Sequence, residues 1–137
     1  MRIFALLFFL FLTSCVTLPT PSGQPEVVIP AGRRAAFTAH LTNGLLNERW
    51  SIAEQGADYM VFEQINVSEG FQMAFGGIST RPRARLNFVN TGGRVRVVVN
   101  LTVLSRNAFG RQGEEPVIPT RYVQMWQDRL KQSAGQG

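Results

Sequence analysis

Two stretches near the middle of the chain alternate between apolar and polar positions. In Arg83-Ala84-Arg85-Leu86-Asn87-Phe88-Val89 every second residue is apolar. Arg94-Val95-Arg96-Val97-Val98-Val99-Asn100-Leu101-Thr102-Val103 continues the pattern after Asn90-Thr91-Gly92-Gly93. Period two over such lengths predicts half-buried antiparallel strands, and the glycines predict the turn that joins them. Ala84, Leu86, Phe88, Val95, Val97, Val99, Leu101 and Val103 then face one side. Such a face needs helices to cover it. Burying its larger side chains at about 1.5–3 kcal/mol each is the main gross stabilisation of the fold.

The flanking segments supply the rest. Val27-Val28-Ile29 has the length of a short first strand, and Pro30 suits the opening turn of a helix. From Ala31 to about Arg49, Phe37, Leu41, Gly44 and Leu45 recur at helical spacing. Trp50 and Ile52 switch back to period two. After Glu54-Gln55-Gly56-Ala57-Asp58, the run Tyr59 to Ile65 is rich in strand formers. Ser105 to Glu115 reads as a polar loop. Pro119 and Thr120 open a last helix to about Gln132, with Tyr122, Trp126 and Leu130 on one face and Val123 and Met125 beside them. The order predicts an α+β domain: a small two-layer sandwich with a mostly antiparallel sheet of about four strands and two helices packed on one face.

The N-terminus has a different pattern. Met1-Arg2 is followed by an uninterrupted apolar run, Ile3 to Leu12. Ten helical residues rise about 15 Å, half of the roughly 30 Å of a bilayer's hydrocarbon core. The run is too short to span and has the layout of a secretory signal peptide. It ends in Leu12-Thr13-Ser14-Cys15. This tetrad resembles the lipobox of bacterial lipoproteins: an aliphatic residue, a small residue, Gly/Ala/Ser, then Cys. The resemblance covers residues 1–16 only. It implies that the Cys15 thiol takes a diacylglyceryl group, that cleavage occurs before Cys15, and that the new amino group is often acylated too. Two or more chains hold a protein firmly on a membrane. In Gram-negative lipoproteins an Asp after the cysteine tends to retain the protein at the inner membrane. Val16 stands there instead, which implies a lipid-anchored outer-membrane location, with the leaflet face open. The alternative is an ordinary signal peptide with a free cysteine near the cut.

The resulting division is a signal peptide over 1–14, a lipidated tether over 15–25, one α+β domain over 26–133 and a tail over 134–137. Val16 to Pro25 is rich in Pro, Ser, Thr and Gly and suits an extended tether. Cys15 is the only cysteine, so the chain forms no internal disulfide and holds no thiolate metal site. The formal charge is +5, and all the cations but Lys131 are arginine. That balance fits anionic partners such as phosphorylated lipid or acidic glycan, or a codon bias toward Arg.

The catalytic inventory is thin, and the chain is read as a non-enzyme with no cofactor. His40, the only histidine, lies at the border of a helical apolar face and has no partners at metal or triad spacing. Asp58 and Asp128 are the only aspartates. Gly76-Gly77 and Thr91-Gly92-Gly93 match no phosphate-binding fingerprint. Glu48, Glu54, Glu63 and Glu69 leave a glycosidase-like pair open without singling one out.

Two features suit binding. The outer side of the hairpin carries Arg81, Arg83, Arg85, Arg94 and Arg96 with no acid interleaved. It is either a solvated face partly paired by Glu63 or a contact for an anionic lipid or glycan. The absence of interleaved aromatics argues against nucleic acid. Second, Phe71, Met73 and Phe75 lie in the glycine-bounded run Gly70 to Ile78, which fits a strand or a helix. It either packs on the core or acts as a flap or docking element. The leading reading is a membrane-anchored envelope lipoprotein that binds another envelope component or assists its assembly. A small-ligand or lipid-binding module with residues 70–78 as lid comes second, and a hydrolase third.

Overall fold

A computed structural model describes residues 23–64, 79–106, 109, 111–116 and 120–135. Among these, the elements run β1 (Glu26–Pro30), a 3-10 turn (Ala31–Arg33), α1 (Arg34–Asn47), β2 (Trp50–Gln55), β3 (Tyr59–Gln64), β4 (Ser79–Thr91), β5 (Arg94–Arg106), β6 (Gln112–Pro116) and α2 (Thr120–Gly135). The alternating segments form the predicted hairpin. β4 and β5 pair antiparallel from Ser79 opposite Arg106 to Thr91 opposite Arg94. The two-residue turn places Gly92 at φ 53° and Gly93 at φ 79°. Both values lie in the left-handed region that a type I′ hairpin requires and that glycine reaches without a Cβ clash.

The sheet has six strands rather than about four, in the order β1-β5-β4-β3-β2, with β6 also on β5. β1 takes the first half of β5 and β6 the second half, so they share one edge. β6 is the correction to the loop expected over Ser105 to Glu115. Its sequence, Gln-Gly-Glu-Glu-Pro, has no apolar residue and all five positions are exposed. An exposed edge strand needs only backbone pairing on one side, so it leaves no hydrophobic period to read.

Both helices cover one face. Phe37, Leu41 and Leu45 of α1 and Trp126 and Leu130 of α2 pack onto Met60, Phe62, Ala84, Leu86, Phe88 and the alternate valines of β5. Gly44, at the margin of the apolar stripe, is exposed. Trp50 and Trp126 meet edge to face, with ring centroids 5.4 Å apart, an arrangement that aligns the positive ring edge with the negative face. α2 runs beyond the expected end at Gln132 because Ser133 is buried and Ala134 packs against the core.

α2 also closes the β1 edge. The side-chain amide of Gln127 accepts from the Glu26 N–H at 2.9 Å and donates to the Glu26 carbonyl at 2.8 Å. It thereby occupies the backbone groups that a neighbouring strand would take. Pro30, in the same outward register, has no N–H to offer.

Candidate functional site

The sheet face opposite the two helices carries the candidate arginines. Register puts Arg83 and Arg85 of β4 opposite Thr102 and Asn100, and Arg96 and Arg94 of β5 opposite Val89 and Thr91. All four share the face, as the alternation predicts. They do not form one cluster, because Arg83 and Thr91 are eight residues apart on β4, about 25 Å along the strand. Nor are they uniformly exposed, since the Arg83 side chain is 19% accessible.

Arg83 is held by carboxylates from three strands. Its Nη2 lies 2.5 Å from Glu54 Oε1 of β2, its Nε 3.5 Å from Glu63 Oε1 of β3, and its Nη1 3.5 Å from Glu114 Oε2 of β6. The Thr102 hydroxyl donates to Glu114 Oε1 at 2.6 Å and fixes its direction. The sequence reading found Glu63 and missed Glu54 and Glu114. Glu54 reaches the face through a register shift between Ile52 and Glu54 in the β2–β3 pairing, and Glu114 lies on the strand that left no pattern. Beside this network Val61, the register partner of Arg85, is buried at 1% accessibility, although it lies outside the helix-covered core cluster.

The other arginines are held differently. Arg85 lies over the Tyr59 ring, 4.4 Å from its centroid, and donates to Asn87 Oδ1 at 3.2 Å. Gly56 sits against the same ring: a Cβ there would come within 2.4 Å of Tyr59 Cε1. Arg96 pairs with Glu26 Oε2 at 2.6 Å. Arg94 flanks the turn, exposed.

Two of the clefts on the described residues bear on the candidate site. One, of about 320 Å³, lies at the far end of the arginine face and is lined by Glu63, Arg81, Arg83, Leu104, Ser105, Arg106 and Gln112. Arg106 falls in the segment that the sequence pattern predicts as a loop. One further period of the β5 alternation beyond Leu104 would have brought it onto this face. The other cleft, of about 630 Å³, lies on the helix side between α1 and the β2–β3 hairpin. Small α1 residues such as Ala35 and Ala39 face Ile52, Met60 and Phe88 across it.

The remaining candidate residues are placed as follows. Cys15, Phe71, Met73 and Phe75 lie outside the described residues. His40 stands at the α1–α2 seam, its Nδ1 3.4 Å from the Ser133 hydroxyl. Asp58 lies 3.7 Å from Arg34, and Asp128 accepts from Gln124 at 3.0 Å. Among the described residues no group of three or more His, Cys, Asp or Glu could hold a metal ion, and no helix is long and apolar enough to cross a membrane. Burial pushes the Tyr122 phenol up to about 12, against the opposing pull of the Trp126 indole N–H and the Arg129 guanidinium.

The chain matches no family model and no curated protein. Its reading therefore rests on its own residues.

Proposed function

We propose that this protein is a lipid-anchored component of the bacterial envelope, held at the outer membrane through Cys15. In this reading the domain acts without catalysis, binding another envelope component or assisting its assembly. The observation that carries the proposal is the run Leu12-Thr13-Ser14-Cys15 at the end of a short apolar segment. The proline-rich stretch from Val16 to Pro25 then gives the domain reach from the bilayer. The layout of the domain agrees with a binding role. Among the described residues, one sheet face is covered by two helices, and the other is not and carries arginines that suit an anionic partner.

The test is the mature N-terminus. Mass spectrometry is expected to find a cleaved, acylated Cys15, and Cys15→Ser to leave the signal uncut or to release the protein from membranes. A Cys15→Ser protein that is still cleaved, acylated and membrane-bound would overturn the anchor.

A second reading, a small-ligand or lipid-binding module, is favoured by the cleft of about 630 Å³ beside α1. A volume of that size is ordinary for a small-molecule pocket. Filling it with Ala39→Trp would abolish uptake of an apolar fluorescent probe under that reading and leave recovery of an envelope partner unchanged under the first.

A further inference from the structure

We propose that the cleft between β4, β5 and β6 binds a phosphate group, held between Arg81 and Arg106. The inference rests on the binding role proposed above but not on the anchor, so it can fail while the Cys15 result stands.

Charge on the arginine face is matched unevenly. Arg83 draws Glu54, Glu63 and Glu114 to itself. Arg96 takes Glu26, and Arg85 lies on Tyr59. Arg81 and Arg106 have no ion pair among the described residues, and both are exposed. They are nevertheless neighbours. Arg81 is opposite Leu104, two residues before Arg106 on the same face. Diagonal partners of this kind stand about 7–8 Å apart. Two like charges on residues so spaced repel, and among the described residues neither arginine has an acidic partner. An oxyanion seated there would accept N–H groups from both forks, the geometry in which arginine binds phosphate most strongly.

The cleft around the pair suits a ligand larger than the bare ion. Its volume is about 320 Å³, whereas one water occupies about 30 Å³ in the liquid. Leu104 supplies an apolar patch, and Gln112 offers a side-chain amide. Glu63 lines the cleft as well. Its carboxylate lies 3.5 Å from Arg83 Nε but shares that one cation with Glu54 and Glu114, so it keeps negative charge that turns the phosphate toward Arg81 and Arg106 and can accept a hydroxyl from the substituent. The site thus fits a phosphate bearing a hydroxylated substituent, either a free solute or a lipid headgroup.

The experiment uses the full chain in detergent micelles for calorimetric titration with glycerol 3-phosphate. The same chain is tested for co-sedimentation with phosphatidylcholine vesicles with and without phosphatidylglycerol. Arg81→Gln/Arg106→Gln is expected to weaken binding at least about tenfold, the loss of a charge-assisted contact. Arg33→Gln/Arg121→Gln, with the same charge loss elsewhere on the domain, is expected to stay within about twofold. Unchanged melting of the first double variant confirms that the fold is intact. Arg81- and Arg106-dependent binding of glycerol 3-phosphate assigns a free solute. Dependence seen only with phosphatidylglycerol vesicles assigns a headgroup. Equal loss in both double variants, or no binding of either probe by the unaltered chain, overturns the proposal.

Discussion

β4 and β5 present two faces built from adjacent residues, and the two are stabilised differently. On the helix side, Ala84, Leu86, Phe88, Val95, Val97 and Val99 lie under Phe37, Leu41 and Trp126 with almost no accessible surface. One residue along, Arg83, Arg85, Arg94 and Arg96 face outward and are held, where they are held, by carboxylates and one tyrosine ring. The first face gains from removing apolar area from water, which is non-directional and is not screened by salt. The second gains from partly solvated charge pairs, each worth little alone and screened by ions. A domain arranged in this way can change its outer face at low cost while the inner face keeps the fold.

The largest break in that comparison is Trp126→Ala. The side chain is fully buried and meets Trp50 edge to face. Truncation is expected to cost about 3–5 kcal/mol, a large share of the roughly 5–15 kcal/mol that holds a typical domain together. Chemical denaturation reads it directly. A loss below about 1 kcal/mol would mean that this core is not where the stability lies.

Arg83→Met is next, because Arg83 joins its strand to three others on the outer face. It links β4 to β2, β3 and β6, and its removal leaves three carboxylates facing one another. A loss of about 1–3 kcal/mol is expected, shrinking in high salt as the repulsion is screened. Adding Glu54→Gln and Glu114→Gln should restore part of it. A salt-independent loss would mean that Arg83 acts through its packing and not its charge.

Alkali should separate the faces in the opposite sense. Tyr122 on α2 is raised from 10.0 to about 12 in the folded chain, chiefly by burial. An unfolded chain releases this proton near pH 10, while the folded chain holds it. The contribution is therefore complete below pH 10 and is lost as pH rises through about 12. The slope in that window is about 1 kcal/mol or less per pH unit, and Tyr122→Phe should flatten it. Equal slopes in the two proteins would refute the assignment.

The inner face was largely legible in the sequence because hydrophobic period reports burial. It marked the hairpin, the stripe of α1 and the Trp126-Leu130 side of α2. The outer face was legible only in part. Alternation placed the arginines on it, but which carboxylate meets which arginine depends on strand order, and no local pattern encodes that. Glu54 arrives through a register shift, and Glu114 lies on an edge strand with no apolar residue. Arg106 differs, because the local alternation of β5 does run on to it and only the predicted end of the strand falls short.

The smallest expected effect sharpens the comparison most. Arg85 and Arg94 sit on the open face with no carboxylate partner among the described residues. Arg85 makes one hydrogen bond to Asn87 and lies over Tyr59, while Arg94 is exposed at the turn. Exposed charges contribute about 0–1 kcal/mol each, and a cation over a ring at such a site about 0.5–1 kcal/mol. Arg85→Gln/Arg94→Gln is therefore expected to melt within a few degrees of the unaltered chain, far from the Trp126→Ala loss. If the pair instead costs as much as a buried side chain, the outer face is part of the folding core. If the double variant is slightly more stable, the arginines repel one another, and this face retains positive charge at a cost to the fold.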